Sequence, residues 1–254
     1  MLVISVVNQK GGVGKTTSAA NLAVVFAKAG KRVLLVDADA QGNLSSLVRV
    51  PQTREGTYGA LLPESGAAPS VDGRIYESEF GFDVVPASED LYAADLRLAT
   101  EVGGQTHLRE ALADVADDYD VAIVDAPPNL GLMTINALVA ADVGAVPGQA
   151  TSSFAAGGLE KLQRTNARTT TLRAGEPAPL VPFTTMADRR LVIDGRIRAT
   201  LEQAFPGEMV AVPRTTAVEE STAGSVPFAW RSPDSIVAAA YRELAEQLTA
   251  TVVS

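Results

Sequence analysis

The sequence predicts an α/β protein built on a doubly wound, mostly parallel sheet with helices on both faces. Three observations predict it. Short apolar runs rich in β-branched residues recur at Leu2 to Val7, Val33 to Val36, Phe82 to Val85, Val121 to Val124, Val143 to Val146 and Leu180 to Pro182. Runs that are apolar throughout, rather than alternating, belong to strands buried on both faces, as parallel strands are. Longer helical patterns separate them and supply the crossovers. A glycine-rich loop lies between the first run and the first helical pattern, where an open α/β sheet places its ligands.

Taken in order, Leu2 to Val7 leads straight into the loop and reads as a buried strand, not a secretory leader, because no basic residues precede it. Ser18 to Ala29 has no internal Gly or Pro, and Gly30 offers a left-handed stop, so this is the first crossover helix. Residues 51 to 81 contain Pro51, Gly56, Gly59, Pro63, Gly66, Pro69 and Gly73 and are expected to form a surface insertion. Near the end, Asp234 is expected to cap a helix whose apolar stripe comprises Ile236, Val237, Ala240, Tyr241, Leu244, Ala245 and Leu248. His107 is expected on an ordinary helix surface, with no role. One domain is expected over residues 1 to 254.

Of the 254 residues, 46% are hydrophobic and 20% charged, which fits a folded chain and not a disordered one. The net charge of -9 argues against a generally basic nucleic-acid binder. The absence of cysteine excludes disulfides, cysteine-ligated iron-sulfur clusters and thiol nucleophiles. No apolar run approaches the roughly 20 residues that cross a bilayer, so a cytoplasmic location is expected.

The strongest motif is Lys10-Gly11-Gly12-Val13-Gly14-Lys15-Thr16-Thr17. Glycines let backbone N–H groups turn into an anion nest, and the following helix points the positive end of its dipole at phosphates. Lys15 is expected to reach the β- and γ-phosphates, and the Thr16 hydroxyl to meet Mg²⁺. Six fixed positions of K-G-G-x-G-K-T arise by chance in this length with odds on the order of 10⁻⁵. The motif sets the fold as that of a P-loop nucleotide hydrolase.

Two carboxylate motifs accompany it. The second apolar run ends in Asp37-Ala38-Asp39-Ala40-Gln41-Gly42-Asn43. If the backbone stays extended, its two aspartates face the same way, toward the phosphates, where one can orient the attacking water or hold hydrated Mg²⁺. Val121 to Val124 leads to Asp125-Ala126-Pro127-Pro128. A carboxylate at the end of an apolar strand downstream of a phosphate loop is expected to hold Mg²⁺ through water.

Gln9 stands where the opening glycine of the commonest loop would be, and Lys10 follows it. In this form the loop resembles the deviant Walker A motif of the ParA/MinD group of ATPases. The resemblance implies that Lys10 crosses a dimer interface to the partner's phosphates, so that two ATP molecules are sandwiched between two subunits. It further implies that Lys10, Lys15 and Asp39 serve hydrolysis, that Asp39 polarises the water, and that Thr16, Asp39 and Asp125 serve the metal. Ala40 replaces the usual proline of D-x-D-P-Q-G-N, which frees the backbone of a fixed φ.

Asn129 to Asp142, Thr184 to Arg190, Val212 to Arg214 and Tyr241 to Leu248 resemble the ParA and Soj partition proteins in particular. That resemblance implies DNA segregation: ATP-driven dimerisation, nonspecific DNA binding, and hydrolysis stimulated by a ParB-like partner. It places adenine near Met186 and Pro213. With the loop starting ten residues in, the chain matches the short form of the family, without an N-terminal helix-turn-helix.

Residues 161 to 198 hold eight Lys and Arg against three acids, a local +5 in a chain of -9. Such segregation suits a backbone-binding face. Arg190 matches a DNA-contacting arginine of the family, whereas Ala217 stands where a second is expected, so DNA binding is expected to be retained but weakened, or redistributed to Arg196, Arg198 and Arg214. The alternatives are a MinD-like membrane-positioning ATPase, a ParA-like protein positioning another cargo, or a ligase that phosphorylates a carboxylate. The first predicts a basic amphipathic C-terminus, absent from Leu248 to Ser254.

Overall fold

A computed structural model describes residues 1–64, 66–149, 158–173, 175–187 and 209–253. Its strands are β1 (Leu2–Val6), β2 (Val33–Asp37), β3 (Tyr76–Glu77), β4 (Asp83–Val85), β5 (Val121–Asp125), β6 (Val143–Gln149), β7 (Leu180–Ala187) and β8 (Ala211–Pro213). They form one sheet in the order β3-β4-β2-β5-β1-β6-β7-β8, parallel except for β3 against β4. The six anticipated strands are present. β3 and β8, of 2 and 3 residues, are too short for a period to register in the sequence.

The described helices are α1 (Lys15–Lys28), α2 (Asn43–Leu47), α3 (Thr57–Leu61), α4 (Ala94–Leu98), α5 (His107–Ala113), α6 (Leu132–Ala140), α7 (Gly158–Ala167), α8 (Thr170–Arg173), α9 (Thr216–Ala223), α10 (Phe228–Arg231) and α11 (Ile236–Val253). A 3₁₀ turn, Glu89–Ala93, runs into α4. Successive side chains of the central strands enter opposite layers. Ile4, Val6, Leu35 and Ile123 pack with Leu22 and Phe26 of α1 and with Tyr241, Leu244 and Leu248 of α11. Val3, Leu34, Val36 and Val124 pack on the other face with Leu61, Leu108, Leu138 and Leu162 of α3, α5, α6 and α7. Leu244 and Leu248 are fully buried, each contributing roughly 1.5–3 kcal/mol of transfer free energy.

Four expectations need correction. Residues 51–81 are no mere surface insertion: Leu61, Val71, Tyr58 and Phe80 are all buried in the two cores. The glycines and prolines there break periodicity without preventing burial. Asp234 does not cap the last helix, because Ser235 takes the position, its Oγ accepting from Ala238 N at 3.1 Å. Ile236, in the first turn, is 67% exposed and off the stripe. His107 is buried at the start of α5, with Nδ1 2.8 Å from the Leu61 carbonyl, and so joins α5 to α3.

β1 lies between β5 and β6, and the chain first builds outward on the β2 side and later on the β6 side. This is the topological switch point, where the loops above the strands diverge and open a crevice. Register brings Val6, Asp125 and Asp37 level across β1, β5 and β2, so two carboxylates end adjacent strands beside the glycine loop.

Candidate functional site

The glycine loop leaves β1 at Val7 and enters α1 at Lys15. Gly12 and Gly14 have φ of 73° and 86°, a left-handed backbone that glycine adopts without steric cost. α1 begins with no side-chain cap and no acid in its first turn. Its first intrahelical bond runs from Ser18 N to Gly14 O, so the preceding amides keep their donors for an anion.

Three side chains hold the loop from outside. Asn8 is buried, donates to Pro147 O at 2.7 Å and accepts from Lys10 N at 3.0 Å. Thr185 Oγ1 donates to Val13 O at 2.8 Å, and Gln149 Nε2 to Gly12 O at 3.2 Å. Sequence reading did not single out these residues. Asn8, an Asx residue just before a glycine turn, carried a local signal. Thr185, separated from Val13 by 172 positions, carried none.

Lys15 is buried, and its Nζ donates to Lys10 O at 3.3 Å. Burial lowers its pKa, while the negative charges of Asp125 and Asp39 oppose the shift. Asp125 is 1% exposed, and among the described residues neither of its carboxylate oxygens has a hydrogen-bond partner. Burial, and then the charge of Asp37, push its pKa well up, with the nearby Thr16 hydroxyl and Lys15 pulling it down. An unpartnered buried carboxylate is costly unless a cation completes it.

No cluster of three or more His, Cys, Asp or Glu capable of caging a metal occurs among the described residues. Mg²⁺ keeps its waters and is held through one or two carboxylates and substrate phosphates. Asp125, with the Thr16 hydroxyl, fits that requirement.

Asp37 and Asp39 do not point together. Asp37 is fully buried, and burial raises its pKa to about 6 against the pull of Ser45, which donates to it. Asp39 lies beyond the strand end, half-buried, with Oδ1 accepting from Gln41 N at 3.1 Å. The chain leaves its extended path after Asp37, which is why the two diverge. Asp39 shares a cavity of about 540 Å³ with Lys15, Thr16, Gln41, Pro128 and Met186. Lys10 is exposed on the same loop.

A second cavity, of about 440 Å³, adjoins the first through Gly14, Thr17, Met186 and Thr222. Met186, Val212, Pro213, Val218 and Tyr241 give it apolar walls. Met186 stands between the two cavities with a left-handed φ of 52°. Arg214 is at the rim, 3.6 Å from Glu219 in an exposed ion pair. A third, apolar cavity of about 620 Å³ lies between the far end of α1 and α11, away from every phosphate-handling side chain.

Arg190, Arg196 and Arg198 lie outside the described residues. Two of the basic residues counted with them are engaged elsewhere. Arg173 donates from Nη1 to the carbonyls of Leu138, Val139 and Ala141 at the end of α6, and Arg164 pairs with Glu160 at 2.5 Å. Ala217 lies in α9, packed against the core.

A glycine loop at a switch point, an uncapped helix behind it and an unpartnered carboxylate beside it define a P-loop nucleotide-binding protein. Comparison with known proteins narrows that class. Residues 1–173 match the AAA domain family. The chain is 40% identical to the chromosome-partitioning ATPase Soj of Thermus thermophilus, over 98% of this chain and 96% of that protein. It is 34% identical to the chromosome partitioning protein ParA of Caulobacter vibrioides, over 97% and 93%. Among solved structures, cobyrinic acid a,c-diamide synthase from Mycobacterium smegmatis with bound ATP analog and magnesium superposes with a TM-score of 0.80 at 28% identity, over 100% of this chain and 96% of that one. The chain belongs to the ParA/Soj family of P-loop ATPases.

Proposed function

We propose that this chain is an ATP-dependent partition switch for plasmid or chromosomal DNA. ATP and Mg²⁺ are its cofactors, and ATP hydrolysis is its reaction. Lys15 and the amides at the start of α1 bind the phosphates, Thr16 and Asp125 serve the metal, and Asp39 orients the attacking water. Bound Mg²⁺ supplies neutralisation of the charge on the transferred phosphoryl group. Adenine occupies the apolar cavity between Met186 and Pro213.

The single domain, residues 1 to 254, closes with a second copy into a sandwich in which Lys10 reaches the partner's phosphates. The dimer binds DNA nonspecifically through Arg190, Arg196, Arg198 and Arg214. Slow intrinsic hydrolysis, stimulated by a ParB-like protein, releases it. The work takes place in the cytoplasm, on the nucleoid.

The observation that carries the reading is the unpartnered, buried Asp125 beside the glycine loop. The partition assignment over a ligase rests on the 40% and 34% identities, each along nearly the whole chain, to proteins named for chromosome partitioning. No described helix is long and apolar enough to cross a membrane.

Size-exclusion chromatography of Asp39→Ala with ATP·Mg²⁺ or ADP, with and without a short DNA duplex at low salt, tests it. A dimer with ATP alone, carrying DNA with it, is expected. A monomer with both nucleotides overturns the sandwich, and a dimer that never co-elutes with DNA overturns the DNA assignment.

A further inference from the structure

We propose that Asp37 is a positioning residue for hydrolysis: its buried carboxylate closes the neck of the loop that presents Asp39 and Gln41 to the phosphates. This rests on the reading of the chain as an ATP hydrolase.

Asp37 ends β2 and faces the α1 and α2 layer, because residues two apart share a face and Val33 and Leu35 pack there. Its Oδ2 accepts from Ser45 N at 2.8 Å and from Ser45 Oγ at 2.6 Å, and its Oδ1 accepts from Asp39 N at 3.3 Å. The Ser45 hydroxyl in turn accepts from Ala87 N at 3.0 Å, beyond the end of β4. Thr57 Oγ1 donates to the Asp37 carbonyl at 2.8 Å. One residue thus joins the exit of β2, the third residue of α2, the exit of β4 and the start of α3.

The enclosed residues, 38 to 44, contain three side chains that line the phosphate cavity, Asp39, Gln41 and Asn43. Their own turn is set internally, by Asp39 O accepting from Gly42 N at 2.9 Å and by the left-handed Gly42. What the internal turn does not set is the tilt of the loop against the sheet, and the Asp37–Ser45 bonds, with Ala38 N donating to the Asp125 carbonyl at 3.1 Å, fix that. Asp37 itself does not line the cavity, so it acts through the loop it holds. A buried carboxylate without a cation on it is a costly way to hold two donors, and the cost is understandable where a reacting group must be held within a fraction of an ångström.

The choice of carboxylate is also specific. Three donors converge on it, so an asparagine can keep the Ser45 pair on its oxygen only by turning its NH₂ toward the Asp39 amide. Asp37→Asn should therefore retain the neck and lose the weakest bond.

The experiment measures steady-state ATP turnover and, separately, the affinity for a non-hydrolysable ATP analogue with Mg²⁺, in the full chain carrying Asp37→Ala, Asp37→Asn or Ser45→Ala. Misplacing a catalytic group by about 1 Å costs about 100-fold in rate, so kcat should fall by about that factor in Asp37→Ala. A smaller fall is expected in Ser45→Ala, and substantial recovery in Asp37→Asn. KM and analogue affinity should stay within about threefold, because the glycine loop is held by Asn8, Thr185 and Gln149 instead. Unchanged kcat in folded Asp37→Ala overturns the proposal, as does a parallel loss of analogue affinity, which marks general loosening. If Asp37→Ala does not fold, Ser45→Ala decides by the same criterion. A wild-type chain that binds the analogue but never turns over ATP is a different failure, that of the hydrolase reading itself.

Discussion

The two flanks of β1 divide the work of the site. On one side, β5 and β2 end in carboxylates, Asp125 and Asp37, with Asp39 just beyond, and Asp125 and Asp39 act on Lys15. On the other, β6 and β7 offer Gln149, Thr185 and Met186, and β8 adds Pro213, so among the described residues the charged side chains lining that cavity are Arg214 and Glu219. The first flank suits a metal and phosphoryl chemistry, while the second suits an uncharged planar base. A sheet that reverses direction at β1 can vary the two independently, because they come from different crossovers.

That division can be broken first at Asp125. Asp125→Asn removes a buried carboxylate whose ionised form burial and the charge of Asp37 disfavour, so the ligand-free protein should melt higher, while ATP turnover falls by at least about 100-fold. Calorimetry with ATP should lose its Mg²⁺ dependence. An unchanged Mg²⁺ response would move the metal off this flank.

A smaller effect should appear in the pH dependence of stability. Asp37, with a folded pKa of about 6 against an ordinary 3.8, holds its proton more tightly folded than unfolded. Its favourable contribution is therefore complete below about pH 4 and lost as pH rises through about 6. A shift of this size corresponds to about 3 kcal/mol. Urea titrations of wild type and Asp37→Asn between pH 4 and 8 should show the variant gaining on the wild type as pH rises. Parallel curves would refute the assignment.

The smallest effect is expected on the other flank. Met186→Gly relieves a left-handed backbone and removes a wall of the base cavity. Nucleotide affinity should fall by about three- to tenfold, from lost apolar contact, with the melting temperature unchanged or raised and kcat retained. A fall in kcat alone would mean that Met186 belongs with the chemistry.

The carboxylate flank was far more legible in the sequence than the base flank, for physical reasons. Its motifs are contiguous: Gly11 to Thr17 must turn, bind and start a helix within one stretch, and Asp125 directly ends a run of β-branched residues. The base flank is assembled from Thr185 and Met186 on β7 and Pro213 on β8, far apart in the chain, and only family resemblance pointed to the last two. The divergence of Asp37 from Asp39 was invisible because spacing defines a shared face only while the backbone stays extended. Burial of Tyr58, Leu61 and Val71 was likewise hidden, since glycine and proline erase periodicity whether a segment is outside or inside.

Ser18 Oγ and Tyr241 Oη meet at 3.1 Å across 223 residues of chain, joining the helix behind the glycine loop to the helix that walls the base cavity. At a synthesis rate of about 5–20 residues per second, the glycine loop emerges on the order of 10–40 s before its neighbour. Throughout that interval Leu22 and Phe26 lack the greasy cover that α11 later provides. The helix behind the glycine loop therefore completes its packing only after α11 has been made.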